Sequence, residues 1–338
     1  MIKPTFQDFI SQGDEIQALQ TQIRENRIVH AILISGDTGT GKRTLARLIA
    51  ASLLCSSKGN QPCCQCNGCM RAFGNEHPDL IVIEKGVPIT ADAKKTRSSI
   101  PIDDIREMIR LCSSYPFEGG NRVILINNAD DMTPQAQNCL LKILEEPPAN
   151  TYFILTSSHS EKLLVTVRSR CRMLKMRPWD DDTIIRILTE EGIDTEKAKL
   201  AAASSRGSVG YAKQLAADGD YWRMREETIR SFFRSTERSQ ILTESSRWKD
   251  NKADADKLFD ILEECVRTML QFRIDKKEDL RMETFSTEWK KFAEETDYER
   301  FACLLNRICE ARKQFQSNVS IQAIIEQLLL SFIGEIAK

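Results

Sequence analysis

Ser35-Gly36-Asp37-Thr38-Gly39-Thr40-Gly41-Lys42-Arg43-Thr44 is the stretch on which the reading of this chain turns. It follows a short apolar run, Ala31–Ile34, and leads into Leu45, Leu48, Ile49 and Leu53 at helical spacing. A glycine-rich turn between a strand and a helix is the setting of a phosphate loop. Its glycines let backbone N–H groups converge on phosphate oxygens, and the helix N-terminus adds partial positive charge. Gly36, Gly39, Gly41, Lys42 and Thr44 are the candidate phosphate-loop residues, with Lys42 reaching for the outer phosphates.

The loop is degenerate where a metal would bind. The residue after the lysine normally carries a hydroxyl for Mg²⁺, and here it is Arg43, a cation with no lone pair to offer. Thr44 comes one residue too late, about 100° further round the helix. The acidic half of an ATPase site should end an apolar strand. Val123–Ile126 is such a run, but it ends in Asn127-Asn128, whose amides bring no negative charge and no general base. Asp130 and Asp131 lie past the strand end and are expected to cap the next turn. ATP binding is therefore doubtful, Mg²⁺ binding unexpected, and no intrinsic catalysis is expected.

Outward from the loop, apolar runs at Leu80–Ile83, Val123–Ile126 and Tyr152–Thr156 alternate with helical patterns. One helix carries Ile105, Met108, Ile109 and Cys112 on a face. Another opens at Thr133-Pro134, an N-cap followed by proline at the first helical position, and stops before Pro147-Pro148. This alternation predicts a doubly wound α/β domain with a parallel sheet. Lys85–Ser99 is polar and reads as a mobile surface loop. All ten prolines lie at or before Pro178, and the 160 residues beyond it hold five glycines. That break predicts helical domains after it. The expected division is 1–178, α/β; 179–213, a small helical lid; and 214–338, longer helices. Two stripes stand out in the last part, Leu258 to Leu270 and Ile321 to Ile333. Both read as bundle core, and the second is broad enough to pack on a partner instead.

Of 338 residues 41% are hydrophobic and 29% charged, with a formal net charge of -1. Such neutrality argues against a protein that grips DNA unaided. No long apolar run suggests a membrane span, and the N-terminus lacks a signal-peptide pattern, so a cytoplasmic location is expected. Eleven cysteines are present, five of them between Cys55 and Cys69. Cys55, Cys63, Cys66 and Cys69 give C-x7-C-x2-C-x2-C, which suits tetrahedral Zn²⁺ in a closed, structural site. Cys64 is left over and could replace Cys63. An iron–sulfur cluster or a redox pair is the alternative. Lys58 and Arg71 are the few basic residues nearby, which favours a stabilising knuckle over a nucleic-acid contact. The other six cysteines read as small core residues.

Further marks occur in order: His30-Ala31, the loop, the cysteine insertion, His77-Pro78-Asp79, Leu140-Leu141-Lys142-Ile143-Leu144-Glu145-Glu146-Pro147-Pro148 and Ser169-Arg170-Cys171. Together they resemble the γ/τ/δ′ AAA+ family of bacterial DNA polymerase III clamp-loader subunits. The match is dense from about residue 6 to 178. The resemblance implies an AAA+ (P-loop NTPase-like) module of two domains and a helical collar that joins five subunits in a ring. It implies γ/τ and δ subunits as partners, with the β sliding clamp and primer-template DNA met through the complex. It also implies that Arg170 acts in trans as an arginine finger on a neighbour's ATP, and that Thr156-Ser157-Ser158 is the remnant of a polar sensor. Arg43, Asn127, Asn128 and Gly210, which stands where γ-type chains carry a sensor arginine, depart from the γ pattern towards the non-hydrolysing δ′ type. As a subunit of DNA polymerase III holoenzyme, the chain could still be classed with DNA-directed DNA polymerases. The competing readings are an active γ-type ATPase and, further off, a stand-alone zinc protein that binds nucleic acid.

Overall fold

In the computed structural model, residues 4–57, 61–87, 89, 98–118, 120–234, 241–246, 254–275, 281–282, 285–317 and 319–336 are described. The chain forms two compact units, Met1–Asp180 with Arg206–Gly210, and Asp181–Ser205 with Tyr211–Lys338.

The first unit is built on β1 (Ala31–Ser35), β2 (Leu80–Ile83), β3 (Arg122–Ile126), β4 (Thr151–Ser157) and β5 (Arg172–Lys175). They form one sheet in the order β2-β3-β4-β1-β5, parallel throughout. Every residue of β1 and β3 is buried, which is why their sequences run apolar without alternation. Around the sheet lie α1 (Asp14–Arg24), α2 (Lys42–Leu53), α3 (Asn67–Phe73), α4 (Ile102–Cys112), α5 (Pro134–Glu145) and the single turn α6 (Val165–Arg168). Thr133 caps α5, its hydroxyl accepting from the Ala136 N–H at 3.2 Å, with Pro134 at the first helical position. Leu33, Ile105, Met108, Ile124 and Phe153 share one core with the apolar face of α5. Because all strands run the same way, the loops after β1, β3 and β4 gather at one edge of the sheet, where ligands bind in folds of this kind.

The second unit is helical: α7 (Asp181–Glu190), α8 (Thr195–Ser204), α9 (Val209–Ala217, from Tyr211 onwards), α10 (Gly219–Ile229), α11 (Ile241–Ser246), α12 (Ala255–Asp275), α13 (Thr287–Glu295), α14 (Tyr298–Gln316) and α15 (Ile321–Ile336). An aromatic cluster centres on Phe233, whose ring lies 5.1 Å from Trp289 and 5.6 Å from Phe332. Glu264 of α12 is buried and accepts from the Ser204 hydroxyl at 2.7 Å and the Tyr221 hydroxyl at 2.9 Å. That cluster ties α8 and α10 to α12.

Ile321, Ile324, Ile325, Leu328, Leu329, Phe332 and Ile333 are all buried within this unit, so the stripe is bundle core, as its spacing suggested, and not a face left open for a partner. One expectation about the cysteines needs correction. Of the six cysteines outside the cluster, Cys112, Cys171 and Cys265 are buried, but Cys139 and Cys303 are half-buried and Cys309 is exposed. Helical spacing alone does not reveal which face of α14 a neighbour covers. Most of the polar stretch 85–99, at residues 88 and 90–97, lies outside the described residues, as does Lys58. Among the described residues, no helix is long and apolar enough to cross a membrane.

Candidate functional site

The phosphate loop is held from within the first unit. Lys42 is buried, and its Nζ donates to the carbonyls of Gly36 and Asp37, both at 2.7 Å. The Ser208 hydroxyl donates to Thr38 O at 3.1 Å, the Gly210 N–H to Gly39 O at 2.9 Å, and the Trp179 indole N–H to Thr40 O at 2.8 Å. Each carbonyl from Gly36 to Thr40 thus has a donor from within the chain. A Cβ at Gly210 would sit 3.1 Å from the Gly39 Cα, so the backbone there approaches the loop too closely to carry a long side chain without displacement. Burial lowers the Lys42 pKa, while Asp130 and Asp37 pull it back up.

The metal half of the site is rebuilt. Arg43 does not enter the loop; its guanidinium lies 3.5 Å from a Glu84 carboxylate oxygen beyond the end of β2. Asn127, 1% exposed, donates from Nδ2 to that same oxygen at 3.1 Å. An arginine cation and a neutral amide therefore share the carboxylate in this corner. The exposed Arg43 pair adds little stability. Thr44 is exposed. Asp130 does not cap its own turn: its carboxylate accepts from the Ser158 N–H at 3.3 Å, across the gap to the end of β4. Thr156, fully buried, accepts from the Asn128 N–H at 3.0 Å, so the sensor-like position braces the loop after β3.

The four cysteines come together. The Sγ atoms of Cys55, Cys63, Cys66 and Cys69 all lie within 4.8 Å of one another, and those of Cys55 and Cys66 are 3.8 Å apart. A tetrahedron with metal–sulfur bonds of about 2.3 Å has edges of about 3.8 Å, so the donor set fits a thiolate-bound metal ion. Backbone N–H groups of Cys66 and Cys69 donate to Cys63 Sγ at 3.3 Å and Cys66 Sγ at 3.4 Å. Burial works against ionising Cys66, yet donors from Ser56 and Cys69 bring it down to about 5, while burial pushes Cys69 up. A hydrogen bond from Ser57 lowers Cys63 as well, and a cation held by the sulfurs would favour their thiolate forms further. Cys64 lies outside the group of four, its Sγ 3.7 Å from Pro62 O. Arg71, the nearby base, is paired with Glu118. A Cβ at Gly68 would fall 2.3 Å from Leu54 O, so the first turn of α3 sits hard against the end of α2.

Arg170 follows α6. Its Nε donates to Glu145 Oε1 at 2.8 Å, with an Nη2 contact to the same oxygen, and Nη1 donates to Thr166 O at 2.8 Å. The guanidinium is thus parked on the first glutamate of Leu144-Glu145-Glu146-Pro147-Pro148, partly exposed. Beside it opens a cavity of about 600 Å³ lined by His30, Tyr152, Arg170 and Arg172 among others. The sequence reading missed Glu84, Glu145, Trp179 and Ser208 as partners of these sites. Glu145 lies in a quoted motif, but nothing in the local sequence pairs any of the four with its partner, because each acts across a distance in the chain.

Five parallel strands in this order, a phosphate loop after β1 and a polar residue ending β4 define a P-loop chain of the AAA+ class, one in which Arg43 and Asn127 both contact Glu84. The family profile described as "DNA polymerase III, delta subunit" matches residues 11–180, and that described as "DNA polymerase III, delta subunit, C terminal" matches residues 219–334. The chain belongs to this DNA polymerase III subunit family. It is 28% identical over 320 residues to the DNA polymerase III subunit delta′ of Bacillus subtilis (strain 168), covering 93% of this chain and 94% of that one. Against the delta′ subunit of Escherichia coli (strain K12) it is 33% identical over 214 residues, 63% of this chain and 61% of that one. Against the tau/gamma subunit of Haemophilus influenzae it is 34% identical over 227 residues, 64% of this chain but 31% of that one. The last two matches thus span less than two thirds of the relative's own length. A solved structure from Thermotoga maritima, described as a DNA polymerase III gamma subunit-related protein, is similar with a TM-score of 0.44 and 18% identity over 94% of this chain and 99% of that one.

Proposed function

We propose that this chain is a δ′-type, non-hydrolysing stator of a DNA polymerase III clamp loader. In this reading it assembles with γ/τ and δ subunits in a five-membered ring that places the β sliding clamp on primer-template DNA. The observation that carries the reading is the Arg43–Glu84–Asn127 corner: an arginine and an amide hold the sequence positions of the Mg²⁺-binding hydroxyl and the acid, and both are turned to Glu84. The extent of likeness to a delta′ subunit, 94% of that relative's length, supports it.

Arg170 is the proposed contribution to catalysis, made to the neighbour. Its guanidinium would leave Glu145 for the γ-phosphate of ATP held next door, exchanging one charge-assisted pair for another. A finger supplied in trans can be worth about 10³–10⁵ in rate. The proposed metal at Cys55, Cys63, Cys66 and Cys69 is Zn²⁺, in a structural role. The proposed functional division is an α/β module to residue 178, a lid at 179–213 and a collar at 214–338, with a cytoplasmic location. The γ-type ATPase is the competing reading, favoured by the 34% identity to a tau/gamma subunit. Arg170→Ala in the reconstituted assembly tests the proposal. Assembly should be intact and ATP turnover at the adjoining site should fall at least tenfold; unchanged turnover removes the finger role.

A further inference from the structure

The Arg170 guanidinium is engaged at every nitrogen where it lies. Nε and Nη2 both meet Glu145 Oε1, the former at 2.8 Å, and Nη1 donates to Thr166 O at 2.8 Å with the Ser169 hydroxyl oxygen at 3.5 Å. Glu145 is the last residue of α5, which stops there because Pro147-Pro148 follow. A carboxylate at that end of a helix faces the negative pole of the backbone dipole, an unfavourable place unless a cation answers it. Arg170 is that cation. The two backbones are also pinned to each other. Buried Gln137 of α5 donates from Nε2 to Lys162 O at 3.4 Å and accepts from the Leu164 N–H at 2.8 Å, which clamps the segment leading into α6 against α5. Most surface ion pairs contribute little, because two long side chains must be ordered to form them. Here the backbones set the separation and Thr166 O holds the guanidinium from a second side, so the pair belongs at the upper end of that range.

The open space beside Arg170 does not attract it. The cavity of about 600 Å³ there is lined by Arg170, Arg172 and His30 and, among the described residues, by no acid. The Arg172 guanidinium meets the neutral Gln22 side chain. A guanidinium released into that cavity would leave a carboxylate and approach a like charge. An arriving oxyanion with several negative charges reverses that balance. We propose that Glu145 is a latch, a positioning residue that holds Arg170 back until a phosphate oxyanion on the adjoining subunit displaces it. The latch rests on the function proposed above and adds that extending the finger costs the Glu145 pair, so Glu145 slows the reaction next door.

The test looks for a gain of activity. In the assembly reconstituted with γ/τ and δ, Glu145→Gln keeps the side chain's shape and removes its charge. It should raise kcat/KM for ATP at the adjoining site about threefold to fivefold, the range open to one well-held exposed pair. The gain should vanish in the double variant E145Q/R170A, and E145D should fall back towards the wild type. A fall or no change in kcat/KM with E145Q, or a gain that survives R170A, overturns the latch and leaves the stator reading standing. Unchanged turnover with R170A alone removes the finger role, and the latch with it. The pairing can also be read without any partner. In the full chain alone, mass spectrometry after treatment with phenylglyoxal, a guanidinium reagent, should show Arg170 modified about threefold faster in E145Q than in the wild type. Equal rates overturn the latch whatever becomes of the stator reading.

Discussion

At the scale of single residues, the chemistry turns on Arg43 and Asn127. Both substitutions were legible in the sequence, because a phosphate loop and the strand after it fix where a metal ligand must stand. Their partner Glu84 was not, since it follows a different strand and meets them only when β2 and β3 pair. Asn127→Asp tests how far the corner has been remodelled. It would set a second carboxylate against Glu84 in a site with 1% exposure, removing the Nδ2 donor. The variant should lose about 1–3 kcal/mol of stability by thermal or urea melting. It should also stay at background ATP turnover, because Arg43 still offers no lone pair. Arg170 was legible through the Ser169-Arg170-Cys171 motif, but its resting partner Glu145, 25 residues earlier in sequence, was visible only in three dimensions.

At the scale of elements, two short motifs gain a physical account. In His77-Pro78-Asp79, His77 Nδ1 accepts from the Asp79 N–H at 3.1 Å, which leaves Nε2 to carry the proton facing Glu118 at 3.4 Å. Burial lowers the His77 pKa from its ordinary 6.5, with Glu118 opposing the shift. A lowered histidine refuses a proton in the fold that the unfolded chain accepts. Stability should therefore drop as pH falls through 6.5 and stop dropping below the folded-state value. Denaturation measured at about pH 7.5 and about pH 5.5 should show that loss, and His77→Gln should shrink it. The cysteine module depends equally on α3 lying flush with the end of α2. Gly68→Ala should clash with Leu54 O, cost about 1–3 kcal/mol and weaken metal retention, measured by melting and metal analysis. The helices and strands themselves were readable because caps, prolines and apolar runs act locally, as at Thr133-Pro134. Which face of a helix finds cover inside the chain was not readable, and the α15 stripe shows why: apolar spacing is the same for a bundle core as for an interface.

At the scale of the whole molecule, the α/β part and the helical part were legible from the proline break and from strand–helix alternation. The passage of Arg206–Gly210 into the first unit was not, because it depends on backbone contacts with the phosphate loop and on no pattern in its own residues. As purified, the chain should carry about one zinc ion, and removal with a chelator should destabilise the first unit before the second; domain-resolved hydrogen exchange would show the order. On the proposed function, the phosphate cradle persists in a chain that does not turn ATP over. Its most direct test is Mg²⁺-dependent ATP turnover by the purified chain beside Lys42→Ala. Both should stay at the same background rate; robust turnover by the wild type that Lys42→Ala abolishes would overturn the non-hydrolysing role.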